Sequence, residues 1–302
     1  MNQNRPDLHD VIIIGGSYSG LSAALALGRA RRSVLIVDAN EPCNARVPHS
    51  HNLLTHDGEA PQELRAQAIA DVSKYPTVYF HKGRVTEVSG SDGAFAVRTA
   101  EGIAHTGRKL LLAMGVRDEL PAITGLAECW GISAAACPFC HGYEVRDQRI
   151  ALIGNTPDTF EYVNLVHNWS QQLSVLTNGP AMFTEEQRSN LSGNGIGIVE
   201  HTISEVLHDK GQVKSLRLSD GSQLAADALF LRSRTPLPSA LPASIGIELT
   251  EQGLIKVDFM QHTNVPGVFA SGDCASPMRA LSMAIASGNI AGAVIVHELI
   301  HA

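Results

Sequence analysis

The stretch from Asp10 to Gly20, DVIIIGGSYSG, constrains the fold more than any other part of the chain. A short β-branched apolar run meets a glycine-rich turn, and the alanine-rich helical sequence LSAALALGRARR follows. SVLIVDAN then reads as a second buried strand ending at Asp38. Strand, turn, helix, strand and acid in this order describe the βαβ unit of a dinucleotide-binding domain. The glycines let backbone approach a pyrophosphate, whose charge suits the positive end of the helix. Asp38, about 20 residues past the turn, is placed to accept from ribose hydroxyls. The turn departs from G-x-G-x-x-G, because Ser17 stands at the second glycine position with an extra Gly16 before it. Its context weighs for nucleotide binding over a plain structural turn.

Between residues 78 and 115 the patches VYFHKGRVTEV, GAFAVRT and KLLLAMG predict short strands joined by turns such as SGSDG. RIALIG, from Arg149 to Gly154, opens a second βα unit that continues through FEYVNLVHNW and QLSVLTNG. Two such starts imply an α/β protein with two nucleotide-fold, three-layer domains. Late in the chain GVFASGDCA reads as a strand that delivers Asp273 to a helix of small residues, MRALSMAIASGNIAGAVIVHEL. Such an aspartate can hold a sugar chain or diphosphate, although the segment alone would read as an ordinary strand-to-helix turn.

The 302 residues suffice for two domains, and 44% hydrophobic with 18% charged residues is the make-up of a soluble globular chain. A net charge of -7 and the lack of a basic run argue against nucleic acid or an anionic membrane as partners. The start, MNQNRPDLHD, lacks the pattern of a secretory leader, and no apolar run reaches the roughly 18 residues of a membrane span. The expected address is the reducing cytoplasm.

Five cysteines, an odd number, do not suit a secreted disulfide framework. Cys43, Cys129 and Cys274 stand alone, whereas Cys137 and Cys140 form a C-x-x-C pair. In the cytosol such a pair points to redox chemistry or metal binding. C-x-x-C-H is also the haem attachment string, but that chemistry belongs outside the cytoplasm. A zinc site would want a second ligand pair, and no second C-x-x-C is present. A pair of buried apolar cysteines is the third alternative. His49, His51 and His56, in VPHSHNLLTHDG, read as loop residues and no metal centre is expected.

In type, order and spacing these pieces resemble the low-molecular-weight thioredoxin-reductase family over essentially the whole chain. GGSYSG matches its N-terminal FAD turn, CPFC its redox pair and GVFASGDC its second FAD motif. LLLAMG takes the place of its A-T-G crossover segment, with Met114 where threonine is usual. The resemblance implies FAD as cofactor and a homodimer. It also implies an FAD domain of residues 1–117 and 239–302, with an inserted redox-disulfide domain over 118–238. Carried over position by position, the FAD contacts would be Gly15, Ser17, Tyr18, Ser19, Gly20, Asp38, Ala39, Arg46, His51, Asn52, Val85, Ala113, Gly115, Gly272, Asp273, Arg279, Ala280 and Leu281. Cys43 would be a packing cysteine near the cofactor.

GVRDELPAITGL followed by CPFCHGYEVRDQ resembles a subgroup, the FAD-dependent dithiol oxidases and their bacterial relatives. His141 stands where the reductases have aspartate after the second cysteine. By family position Cys140 is the flavin-proximal sulfur and Cys137 the exchange sulfur. A thiolate is the nucleophile in such exchange, so a base is needed. His141, adjacent to Cys140, titrates in the right range, and Glu144 could orient it or tune its charge.

In the second βα unit the turn reads Gly154-Asn155-Thr156-Pro157-Asp158-Thr159, where the family's NADPH turn has G-x-G-x-x-[AG]. Asp158 would set a negative charge near the pyrophosphate, and Thr177, Asn178 and Gly179 supply no cation for a 2′-phosphate. The NADPH-type fold is thus expected to be degenerate. Electrons can then flow from a small-molecule or protein dithiol through the pair and FAD to dioxygen. They can also flow from a donor such as ferredoxin, or weakly bound NADPH, to a disulfide. A flavin redox sensor without turnover is the remaining alternative. The wording around the cysteines favours the oxidase.

Overall fold

A computed structural model describes residues 7–301. Residues 1–6, on which part of the leader expectation rests, lie outside them. By its internal contacts the chain divides into two units, one of residues 1–45, 62–117 and 235–302, the other of residues 46–61 and 118–234.

The first unit begins β1 (Leu8–Ile14), α1 (Tyr18–Arg29), β2 (Val34–Asp38), α2 (Pro61–Ser73) and β3 (Val78–Lys82). Val11, Ile12 and Ile13 are fully buried, as befits a strand covered on both faces. β4 (Val85–Ser91), β5 (Ala94–Thr99) and β6 (Ala104–Leu112) form an antiparallel meander. The first half of β6 pairs β5, with Gly107 opposite Phe95, while residues along its length pair β1 in parallel. The sheet order is therefore β3-β2-β1-β6-β5-β4.

The second unit holds α3 (Leu126–Cys129), β7 (Ala134–Ala135), α4 (Pro138–His141), β8 (Ile150–Ile153), α5 (Thr159–His167) and β9 (Leu173–Leu176). It continues with α6 (Glu185–Gly193), β10 (Gly197–Val199), β11 (Ile203–Asp209), β12 (Gln212–Leu218), β13 (Gln223–Ala225) and β14 (Ala228–Leu231). Thr184 and Gln187 close a capping box at the start of α6. Five strands make a parallel sheet in the order β10-β9-β8-β14-β7, and β11-β12-β13 form a separate antiparallel sheet. The two units are thus nucleotide folds of the same kind, an α/β architecture.

The chain returns to the first unit with α7 (Leu241–Ser244), β15 (Val268–Ala270) and α8 (Leu281–His301). β15 pairs the second half of β6 in parallel, with Val268 opposite Leu110. Among the described residues α8 is the one helix long and apolar enough to cross a membrane by length and composition. It packs against α1 with Gly288, Ala291, Gly292 and Ile295 buried. A side chain at Gly288 would place Cβ 2.1 Å from the Ser19 carbonyl oxygen, so this close helix pairing needs glycine there.

Candidate functional site

The first unit gathers its motif residues at one edge of its sheet. β1 ends at Gly15, whose φ of 109° is left-handed and whose added Cβ would lie 2.2 Å from the Ala113 carbonyl oxygen after β6. Gly20 is equally constrained, because a Cβ there would meet the Gly15 carbonyl oxygen at 2.0 Å. Ser17 precedes α1, and Tyr18 and Ser19 are buried in its first turn. Burial pushes the Tyr18 phenol up, against a hydrogen bond with Asn44. Ser19 Oγ lies 2.6 Å from Ser271 Oγ, tying the first turn of α1 to the end of β15.

Asp38 closes β2, and Ala39 follows it half-buried. The Asp38 Oδ1 accepts from the Gly16 N–H at 3.0 Å, so this aspartate and the glycine turn are joined. Its other oxygen accepts from Arg65 Nη2 at 2.5 Å. Arg65 also donates to the Gly16 carbonyl at 3.1 Å and to Asn40 at 2.8 Å. This arginine comes from α2, where no motif marks it, and sequence reasoning missed it.

Gly115 turns the chain after β6 with φ 64°. Gly272 begins a short 3₁₀ turn after β15, Asp273 lies inside that turn, and Arg279 approaches Asp273 at 3.5 Å. Ala280 and Leu281 lead into α8, where the Ala280 carbonyl accepts from the Ala284 N–H. Val85 behaves differently: it is buried in the core with Ile12, Leu35 and Leu110. Cys43 is exposed, against the expectation of a packing cysteine, because the turn that carries it runs along the surface. Burial pushes the thiols of Cys274 and Cys129 up to about 11, which leaves them protonated.

The second unit carries the cysteine pair. Cys137 is the N-cap of α4 and Pro138 its first residue, a favoured position for proline. One helical turn brings Cys140 back to Cys137, and the two form a disulfide with Cα atoms 5.3 Å apart. The N–H groups of Cys140 and His141 both donate to the Cys137 carbonyl at 3.2 Å. Phe139 is exposed and stands edge-on to Trp169 at 5.4 Å, while exposed Tyr143 carries Arg146 over its ring.

His141 lies below its ordinary value because burial disfavours the imidazolium. Glu144 opposes this shift and His51 adds to it. A neutral imidazole beside Cys140 is the form that accepts a proton. His51 joins the same cluster: its Nε2 lies 3.5 Å from Glu144 and its Nδ1 3.6 Å from Asp57. Asn52 has a left-handed φ of 61°, and its N–H donates to Asp57 at 2.7 Å. Arg46 donates to the Ala127 carbonyl at 2.5 Å. Arg46, His51 and Asn52, read from sequence beside the cofactor, thus group with the cysteine unit.

Two nucleotide folds in one chain, one with a glycine turn joined to the aspartate that ends β2 and the other with a Cys137–Cys140 disulfide, define a disulfide oxidoreductase of the flavoprotein type. Residues 9–288 match the pyridine nucleotide-disulphide oxidoreductase family, and the chain belongs to it. It is similar to the thioredoxin reductase sirT of Leptosphaeria maculans, 34% identical over 95% of this chain and 93% of that protein. Among solved structures it resembles an oxidoreductase from Agrobacterium tumefaciens, with 38% identity and a TM-score of 0.92 over 97% of this chain and 99% of that one. A thioredoxin reductase TrxB from Bacillus anthracis superposes with the same TM-score at 28% identity, again over 97% and 99%. The chain is therefore a thioredoxin-reductase-like enzyme, an oxidoreductase acting on disulfides, and its family implies a flavin cofactor. The first unit fits a flavin dinucleotide, since Gly15 and Gly20 leave no room for side chains and Asp38 is held at the turn by Gly16 and Arg65.

Proposed function

We propose that this enzyme is an FAD-dependent dithiol oxidase whose working pair is Cys137–Cys140. The observation that carries the reading is the disulfide at the start of α4, followed directly in the chain by the half-buried imidazole of His141, which is held below its ordinary value. A substrate thiolate attacks Sγ of Cys137, the protein disulfide breaks, and Cys140 leaves as thiolate. The second substrate thiol, deprotonated by His141, then displaces Cys137 and closes the substrate disulfide. The substrate has lost two electrons, and the pair stands reduced. Glu144, bridged to His51, orients and tunes His141. When bound, FAD would supply a two-electron acceptor for the reduced pair that dioxygen can reoxidise, with the protein disulfide and hydrogen peroxide as products. Asp38, Arg65, Gly15, Gly20 and Asp273 are the groups that would hold it.

The test is aerobic turnover of a small dithiol. The expected result is hydrogen peroxide in proportion to dithiol consumed, abolished in both Cys137→Ser and Cys140→Ser. Dithiol consumption without peroxide would end the oxidase reading.

A second reading is supported by exposed Phe139 and Tyr143, which give the pair an aromatic rim suited to a protein partner. In that case the enzyme reduces a protein disulfide with electrons from a donor other than NADPH. Either reading takes the working unit to be a homodimer in the cytoplasm. Light scattering on the eluting protein tests the first of these.

A further inference from the structure

The second unit's sheet winds like the first. From β8 the chain passes through α5 to β9 and through α6 to β10 on one side, while β14 and β7 lie on the other. The winding reverses between β8 and β14. Beyond the carboxyl ends of those two strands lies the crevice where an open α/β sheet takes a dinucleotide.

Here the protein places its own charges at that point. Asp158, the N-cap of α5, accepts from the Thr156 hydroxyl at 2.5 Å through one oxygen. Through the other it accepts from the guanidinium of Arg232, the residue that follows β14. Arg232 also lies over the Tyr162 ring of α5 at 4.6 Å. The turn is satisfied by the protein's own groups. The Thr156 N–H donates to Thr159 Oγ1 at 2.8 Å. Asn155 donates to the Pro180 carbonyl and accepts from the Met182 N–H, at 2.9 Å each.

The Asp158 charge, read from the sequence as a negative charge near the pyrophosphate, therefore has a cationic partner. Its Thr156 hydrogen bond, its Arg232 partner and its own backbone keep it ionised, below the usual carboxylate range. Arg232 is a cation that the segment after β9 lacks, brought instead from the end of β14.

We propose that Asp158 is a specificity-determining residue: it occupies Arg232 as an internal anion and closes the second unit's crevice to pyridine dinucleotides. Both side chains are about half exposed, and an exposed ion pair is weak, so breaking the pair is not the main obstacle. The obstacle is that a diphosphate reaching Arg232 meets a fixed carboxylate of its own sign on the same guanidinium. Removing the carboxylate frees the cation for a nucleoside diphosphate.

This inference rests on reading the second unit as a nucleotide fold that does not work with NADPH. The experiment titrates flavin-loaded protein with ADP-ribose and with NADPH by calorimetry. The proteins are the parent, Asp158→Asn, Asp158→Ser, Arg232→Ala and the Asp158→Asn/Arg232→Ala double variant. Circular dichroism and flavin content verify the fold of each, and Asp158→Ser serves should the asparagine variant fold poorly. Expected are no saturation of the parent at about 1 mM ligand and a gain of tenfold or more in the Asp158 variants. The double variant should lose that gain. Asp158 variants that bind no better than the parent would overturn the proposal, as would a gain that survives without Arg232 or a parent that binds micromolar NADPH. Dithiol turnover by the parent is measured alongside. Its failure, with the gain in the Asp158 variants intact, would remove the oxidase reading and leave the internal anion standing.

Discussion

At the residue scale, the five cysteines divide by environment. Cys129 and Cys274 are buried, with their thiols pushed up to about 11, and Cys43 is exposed. Thiolate fraction and access together govern alkylation. Iodoacetamide on the native oxidised protein should therefore add one label, at Cys43, and gentle reduction should add two more, at Cys137 and Cys140. Intact-mass measurement reads both counts; a label on Cys129 or Cys274 would contradict their burial. His141 yields a second prediction, with a definite sign. Its folded value lies below 6.5, so its base form persists as pH falls past that point. The acid limb of the rate of Cys137–Cys140 reduction should then sit below pH 6.5. Glu144→Gln removes an influence that raises His141 and should move the limb lower, whereas His51→Gln should move it higher. His141→Ala should slow the step by about 10² to 10⁴. Rapid-mixing rates from pH 5 to about 9 decide it, and a limb that ignores both variants would detach His141 from the chemistry.

Elements show where local sequence carries the fold and where it falls short. β1, its turn, α1 and β2 were legible because each obeys a local rule: a β-branched run, glycines at a strand end, small helical residues and an acid. Gly20→Val tests that legibility. Its first new atom would lie 2.0 Å from the Gly15 carbonyl oxygen, a clash of the kind that costs about 1–3 kcal/mol. Gly20→Val should purify without flavin. Asp273→Ala, which disturbs no packing contact of that kind, should lose flavin as well, read from absorbance at constant protein. Full flavin in both would remove the nucleotide assignment from this edge. Arg65 and Arg232 were not legible, because each meets its partner through topology. Arg65 reaches Asp38 from α2, and Arg232 reaches Asp158 from the end of β14, the neighbour of β8 in the sheet. The segment 46–61 also meets its partners through topology. It lies between β2 and α2 in sequence, yet its Ser50–Glu59 bridge closes it on itself, and Arg46 and His51 reach Ala127 and Glu144. The resemblance implied cofactor contacts for Arg46, His51 and Asn52; the side-chain contacts of Arg46 and His51 run to Ala127 and Glu144 of the cysteine unit.

For the whole molecule, both nucleotide folds bury a core of their own, and the second sets the Asp158–Arg232 pair at its switch point. A sheet of this winding buries a core whether or not it binds a ligand; Ala151, Leu152, Leu176, Leu229 and Phe230 are all about fully buried around β8 and β14. That core, and the platform it gives Cys137, hold the fold together without a bound nucleotide. Tyr162 shows the link: its hydroxyl donates to the Ala136 carbonyl at 2.8 Å, one residue before Cys137. The expected outcome is that NADPH and NADH reduce the flavin of this enzyme poorly, while a small dithiol reduces it readily and oxygen restores the yellow colour. Loss of charged hydrogen bonds to a phosphate costs about 1.5–3 kcal/mol each, so two missing contacts weaken a dinucleotide by roughly two orders of magnitude or more. Asp158 adds to that loss. Stopped-flow absorbance under argon compares the three reductants directly. Rapid bleaching by micromolar NADPH, coupled to turnover of a thioredoxin-like disulfide, would show that backbone groups alone suffice at the second turn and that electrons run from nucleotide to disulfide.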